Sequence, residues 1–382
     1  MGFKLLDLKL PTDFTREELK KKITKKLGIK HFSYTIEKQS LDAREKGNIF
    51  WTIRVGVSSP TLPGRETQSS ETFTIPYKKR NKKIVVVGSG PAGFFAAYTL
   101  SAAGFEVTLL EQGPDVDTRL NDIAAFERTG NLVEKSNYAF GEGGAGTFSD
   151  GKLTSRTKSI SRERAFIFDT YIKGGAPGEI AYLAHPHLGS DNLRKIVKNL
   201  RADFTAKGGQ FLFNTQVENI DLANGKMQAV ETAAGKIAAH YFIFATGHSS
   251  YDTYRMLIHK GVPFRVKPFA LGCRVEHAQE LINLAQWGQP SLPGLKAAEY
   301  RLTFQKPNLL PVYSFCMCPG GKVVPAAAYK NTNIVNGMSY YARNSAFANA
   351  AIAVGIHLNE LLNKELEPLE ALEWLQQLEE TF

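Results

Sequence analysis

The sequence predicts an α/β protein: a parallel βαβ unit, a small α+β unit before it and an antiparallel β-rich region after it. Three observations predict this. A β-branched run, Lys83-Ile84-Val85-Val86-Val87, enters Gly88-Ser89-Gly90-Pro91-Ala92-Gly93, and an Ala-rich helical pattern leaves it. Past that helix, Phe105–Leu110 forms a second strand pattern that ends on Glu111. From Val262 the pattern changes to shorter strands. The first two observations together make a complete Rossmann-like fingerprint rather than a bare glycine motif. Gly88 permits the tight turn, Gly90 lets backbone approach a pyrophosphate and Gly93 lets helix and strand pack closely. Pro91 suits the first helical position, where its missing N–H has no intrahelical partner. The N–H groups and positive dipole end of the helix, from Pro91 and Ala92 onward, are offered to phosphates. Glu111 is placed to accept from a ribose 2′-hydroxyl, and an acid there disfavours a 2′-phosphate.

The Gly-Ser-Gly-Pro-Ala-Gly turn resembles the FAD-binding turn of flavoprotein oxidoreductases more than that of simple NAD dehydrogenases. Tyr241–Gly247, read as a buried strand ending in Ala245-Thr246-Gly247, is similar to the segment that passes the FAD in those enzymes. Phe211–Val217 is similar to the strand whose end covers the adenine, with Val217 at the matching position. Between them and the fingerprint, a helix from Ser190 or Asp191 to about Lys207 carries Leu193, Ile196, Val197 and Leu200 at helical spacing. An acidic residue in its first turn suits the helix dipole.

Four further segments carry a more specific resemblance: Gly141–Leu153, Ala184–Arg194, Phe315–Gly321, and Asn336–Ser339 with Ala342–Ser345. They look like the corresponding motifs of a family of uncharacterised bacterial FAD-dependent dehydrogenases, over nearly the whole chain. The resemblance implies a flavoprotein oxidoreductase with FAD as cofactor. It implies that Gly143 and Gly144 belong to a cofactor-binding loop, and that Lys152 supplies a cation near the flavin, where charge stabilises the anionic reduced form. Members of that family continue into a second FAD motif, whereas Leu358–Phe382 is an acidic helical stretch. On that departure the alternative expectation is a truncated, catalytically incomplete dinucleotide-binding protein.

The remaining elements follow in order. Phe3–Lys9 is a strand, and Thr12 or Thr15 starts a helix through Leu27 that Gly28 closes. His31–Ser40 and Asn48–Val57 are two more strands, and the β-α-β-β order suggests a ferredoxin-like or split βαβ domain. Ser58–Arg65 is a loop, with a further strand expected near Phe73–Pro76. In the antiparallel region, strands are expected over Arg265–Val275, Glu299–Phe304, Pro311–Met317 and Lys322–Ala328. The expected division is 1–80, an N-terminal α+β domain with a basic linker; 81–260, the Rossmann-like domain; 261–345, an antiparallel substrate domain; and 346–382, a C-terminal helical segment.

Composition bounds the class. With 382 residues, 43% of them hydrophobic, the chain can bury a sizeable core. No apolar run reaches the eighteen residues of a spanning helix, and the N-terminus lacks the pattern of a signal peptide. Three cysteines, an odd number, argue for a reducing cytoplasmic setting rather than a disulfide framework. Residues 1–83 hold 19 Lys and Arg against 9 Asp and Glu, so the chain's net +10 is carried there. A basic surface attracts RNA, anionic lipid or acidic partners, and a solvated helix face has the same composition. An RNA-associated flavoenzyme is therefore a third reading, though no aromatic RNA-binding motif or zinc spacing accompanies the basic residues and nucleic acid is not the expected partner.

Several residues invite chemistry. Cys316 and Cys318 would share one face of an ideal strand, as a redox pair, as thiols beside a flavin, or as small core residues. His185 and His187 bracket Pro186 and suit a metal, an acid near substrate or a structural loop. No second cysteine pair exists, so no metal site is expected. His248 follows Ala-Thr-Gly, either beside the cofactor or in packing. Cys273 and Arg274 enter the presumed substrate domain, where Arg274 suits an anionic substrate or, as the expected role, a surface ion pair. The candidate catalytic set is Lys152, Cys316, Cys318 and His248, acting on a small-molecule substrate with an electron partner the sequence does not name.

Overall fold

The computed structural model describes residues 2–63, 73–155, 157–307 and 309–382. The chain opens with strand β1 (Gly2–Leu10), helix α1 (Arg16–Leu27), β2 (Ser33–Asp42) and β3 (Phe50–Ser59). Strand β3 lies between β1 and β2 and is antiparallel to both, so β1-α1-β2 is a split βαβ unit. Thr15 caps α1 with a reciprocal box to Glu18, and Gly28 ends it in the left-handed region at φ 70°. Leu19 and Ile23 of α1 pack on Leu6, Leu8, Ile53 and Val55 of the sheet. Part of the expected 58–65 loop lies outside the described residues. No strand forms at Phe73–Pro76; Phe73 instead packs on the Phe166 ring, 5.3 Å between centroids.

The nucleotide unit follows with β4 (Lys83–Val87), α2 (Pro91–Ala102), β5 (Glu106–Leu110), α3 (Val116–Thr129), α4 (Ser161–Lys173), α5 (Ser190–Ala206) and β6 (Gln210–Leu212). An antiparallel meander of β7 (Asn219–Ala223), β8 (Lys226–Thr232) and β9 (Gly235–Ala238) precedes β10 (Tyr241–Phe244) and α6 (Tyr251–His259). The parallel sheet has the order β10-β4-β5-β6. Its central strands bury both faces, which is why β4 is an unbroken apolar run. Ile84, Val86 and Leu109 face a core shared with α2, α4 and α5. Val85, Val87 and Leu110 face the meander and Leu257 of α6. Strand β10 differs from its expectation: it is half-buried, with Tyr241 56% exposed, because it sits at the sheet edge. The expected 211–217 strand is shorter too, since Asn214 turns left-handed at φ 51° and Val217 is delivered by a loop.

The last region contains β11 (Phe269–Ala278), α7 (Gln279–Trp287), β12 (Thr303–Phe304), β13 (Val312–Cys318), β14 (Gly321–Pro325), β15 (Val335–Ser339), β16 (Phe347–Ile356), α8 (Leu358–Leu362) and α9 (Pro368–Thr381). Its main sheet is antiparallel in the order β11-β16-β13-β12, and β14-β15 form a separate hairpin. Residues 346–382, expected to be helical, begin with the central strand β16. Its small residues Ala348 and Ala350 are fully buried against Ile282 and Trp287 of α7. The β14-β15 hairpin packs Val324 and Met338 on Val116 and Ile123 of α3, with Tyr138 and Phe148. That contact holds the antiparallel region against the loop after α3, where the site lies.

Candidate nucleotide-cofactor site

The glycine turn joins β4 to α2 with each glycine under a different constraint. Gly88 is left-handed at φ 100°, and a Cβ there would collide with the Ala245 carbonyl. A Cβ on Gly93 would collide with the Gly88 carbonyl, so Gly93 brings helix onto strand. Gly90 is the N-cap of α2 with an ordinary φ of −61°, and no side chain caps the helix. A Cβ on Gly90 would meet nothing nearer than Gly144 Cα, at 3.9 Å. Folding therefore does not demand glycine there; the space it leaves is open.

That space belongs to a cavity of about 550 Å³, within the range of small-molecule and cofactor sites. Gly88, Gly90, Pro91 and Ala92 form one wall, Gly144 another, and Val217 with Ala245, Thr246, Gly247 and His248 close it. The structure thus brings together most of the residues singled out from the sequence. Uncapped N–H groups at the start of α2 sit on this wall, an arrangement that suits an anionic group such as pyrophosphate. His248 shares a 3.2 Å hydrogen bond with the Ser249 hydroxyl.

Glu111 lines the cavity but is not free to receive a ribose hydroxyl. It is 5% exposed. One carboxylate oxygen accepts from the Ser89 N–H at 3.0 Å and the Ser89 hydroxyl at 2.6 Å. The other accepts from the N–H groups of Gly113 at 3.0 Å and Gly141 at 3.1 Å. A carboxylate offers about four acceptor sites, so protein donors fill them, and Glu111 ties the glycine turn to the Gly141–Gly146 loop. The Ser89 hydroxyl extends the tie by accepting from Gly143 N–H at 3.2 Å.

Sequence reasoning missed Arg119. It is fully buried in α3 and donates to the carbonyls of Asn137, Tyr138, Gly141, Glu142 and Gly144, at 2.8 to 3.3 Å. Its guanidinium lies 4.8 Å from the Phe148 ring centroid. Burial pushes its pKa down to about 10, with Glu111 and Glu142 opposing, so it stays charged at neutral pH. The signal was present: Val116, Leu120 and Ile123 form an apolar stripe, and Arg119 occupies a position within it.

Lys152 is not on the wall of the large cavity. Together with Gly143 it lines a neighbouring one of about 130 Å³ that shares Ser89, Pro91 and Gly146. Its ammonium sits 2.7 Å from Asp150 and donates to the Met317 carbonyl. Asp150 is buried and also receives Arg343, at 2.5 and 3.0 Å, and the Ser339 hydroxyl. Burial would raise the Asp150 pKa, but Arg343 and Lys152 hold it well below the usual carboxylate range.

The cysteines do not follow simple strand alternation. Cys316 is left-handed at φ 45°, and the β13–β16 register shifts between Phe315 and Cys318. Cys318 is buried, Cys316 half-buried and Cys273 exposed. Arg274 makes no ion pair among the described residues; it donates to Asn349 at 2.6 Å, Asn336 at 2.9 Å and the Cys316 carbonyl at 3.2 Å. The histidines separate in role. His185 meets Glu299 at 3.1 Å, which raises its pKa, whereas burial and then Arg343 push His187 down to about 4. No group of three or more potential metal ligands occurs among the described residues.

Comparison with known proteins places the chain. Residues 82–262 match the model for pyridine nucleotide-disulphide oxidoreductases, and 268–382 match that for the FAD-dependent protein, C-terminal domain-like. Residues 3–58 match a domain of unknown function. An uncharacterized protein of Clostridium beijerinckii is 39% identical over 99% of this chain and 74% of its own length. The chain belongs to this family of FAD-dependent proteins. It is a flavoprotein oxidoreductase, and its cofactor is FAD. Among solved structures, FqzB is 12% identical over 80% of this chain and 61% of its own, with a TM-score of 0.37. CtdE in complex with FAD is 13% identical over 72% and 59%, with a TM-score of 0.34. The chain thus spans about three fifths of each of these solved chains. No described helix is long and apolar enough to cross a membrane.

Proposed function

We propose that this flavoprotein transfers hydride between a small-molecule substrate and FAD held in the 550 Å³ cavity. The observation that carries the reading is Gly90: its backbone is unstrained, its missing Cβ faces open space, and the uncapped end of α2 begins there. The chain's own part is to bind and orient. The start of α2 and the Gly144 loop would hold the pyrophosphate, Val217 would lie against the adenine end, and Thr246 and His248 would contact the remainder. Glu111 and Arg119 position the glycine-rich loop. FAD, when bound, supplies the two-electron chemistry, while the protein excludes water from it.

The test is flavin released per chain on denaturation, measured for the wild type and for Gly90→Ala. The wild type should release close to one FAD. Gly90→Ala should keep its melting temperature within about 2 °C, since nothing in the fold obstructs the methyl group, yet lose most of its flavin. Equal flavin in both proteins would refute the assignment of this cavity.

A further inference from the structure

Cys316 and Cys318 lie outside the cavity wall, and the flavin site makes no use of them. Their backbone is unusual. In an extended strand, residues i and i+2 stand about 6.7 Å apart, near the upper limit for a disulfide. The left-handed Cys316 and the register shift beside it break that extended run. A non-glycine residue at positive φ is uncommon in the middle of a paired strand, so the surroundings must hold it. They do so with two cations: Arg274 of β11 donates to the Cys316 carbonyl at 3.2 Å, and Lys152 donates to the Met317 carbonyl. The Cys318 thiol in turn donates to the Cys316 carbonyl at 3.4 Å. Gly337 of β15 completes the pocket, because a Cβ there would stand 2.8 Å from Cys318 Sγ.

We propose that Cys316 and Cys318 form a thiol–disulfide exchange site, with Cys316 as the attacking sulfur, Cys318 as the resolving one and a disulfide as the substrate class. Exposure sorts the two roles, since Cys316 is half-buried and Cys318 fully buried, and Phe315 beside them is 61% exposed as an apolar landing surface. Charge sorts them the same way. The hydrogen bond from Cys318, with Lys152 and Arg274, holds the Cys316 thiol below the ordinary thiol range against the effect of burial. Cys318 is pushed up by the same partner, by burial and by Asp150, with Lys152 opposing.

The Cys316 thiolate attacks one sulfur of a disulfide RS–SR′. A bond forms between Cys316 and SR, the substrate S–S bond breaks, and R′S⁻ leaves and takes up a proton. Once Cys316 is uncharged it no longer raises Cys318, while Lys152 remains beside it. Cys318 then gives up its proton and attacks Cys316 Sγ, forming the intramolecular disulfide and releasing RS⁻, which takes that proton. One disulfide is reduced to two thiols and two thiols are oxidised to one disulfide, so atoms and electrons balance without another reagent. The reverse sequence oxidises a dithiol.

The test uses the full chain as purified, with glutathione disulfide as the probe and peptide mass spectrometry under non-reducing conditions. The wild type should form the Cys316–Cys318 disulfide. Cys318→Ser should retain one glutathione on Cys316, and Cys316→Ser should show neither product. At about pH 6, where an ordinary thiol is under ~1% ionised, iodoacetamide should modify Cys316 at least ~10-fold faster than the exposed Cys273. Lys152→Met should narrow that ratio. Equal alkylation rates, or no Cys316–Cys318 disulfide and no Cys316 adduct, would overturn the proposal. Flavin content, measured on the same samples, separates the two readings: exchange without flavin would sink only the cofactor assignment, and flavin without exchange only the thiol site.

Discussion

Arg119 shows how a single buried charge can shape a binding loop. Its five carbonyl partners span residues 137 to 144, so one guanidinium sets the path of the segment that forms the far wall of the cavity. Replacing it removes every one of those donors at once, and buried unsatisfied groups cost about 1–3 kcal/mol each. Arg119→Met should therefore destabilise the protein by at least about 3 kcal/mol in urea denaturation, and flavin retention should fall with it. Unchanged stability would mean that the loop holds itself in place. The residue-scale contrast with Glu111 is instructive. Its position at the end of β5 was legible from the fingerprint, but its role was not, because three of the four donors that fill it come from Ser89 and Gly141, far from it in the chain. The glycines were legible because part of their constraint is local: Gly88 is held at φ 100° and Gly93 packs on the Gly88 carbonyl, within one turn.

At the scale of elements, the parallel unit was readable because β4, α2 and β5 each carry a clean period and a clear stop. The meander of β7 to β9 was missed although Asn224-Gly225 marks its first turn, with Asn224 at φ 53°. Strand β16 was misread for a physical reason. Phe347–Ile356 is rich in alanine, the strongest helix former, yet Ile352, Val354 and Ile356 alternate at period two. Tertiary packing decides in favour of the strand, because only small side chains fit where β16 passes over α7. Ala350 is fully buried among Ala348, Trp287 and Ile282. Ala350→Leu should thus overpack this layer and cost about 1–3 kcal/mol. Urea denaturation checks it; a neutral or stabilising effect would indicate a cavity there that the close packing excludes.

The whole molecule is held together partly by one polar cluster between the nucleotide unit and the antiparallel region, and that cluster makes stability depend on pH. Asp150 follows the glycine-rich loop, His187 precedes α5, and Arg343 and Tyr341 come from the segment between β15 and β16. His187 is 6% exposed, its ring hydrogen-bonds the Tyr341 carbonyl at 3.1 Å, and Arg343 repels a second proton on it. Its folded pKa of about 4 lies below the ordinary value near 6.5, so between those limits the unfolded chain binds more protons. The contribution of His187 is complete above about pH 6.5 and falls as pH drops toward 4, by about 3 kcal/mol over that window. Asp150 acts in a separate window. Its pKa is depressed on folding, so its contribution is present above about pH 4 and is lost only below it. His187→Gln removes the titrating ring while keeping an amide able to donate to Tyr341. Melting temperatures of this variant should not fall between about pH 6.5 and 4, where the wild type declines and where protonation of His185 on Glu299 adds stability, and both proteins should lose stability together below about pH 4. A variant that declines in parallel with the wild type through the upper window would show that another group carries the acid sensitivity.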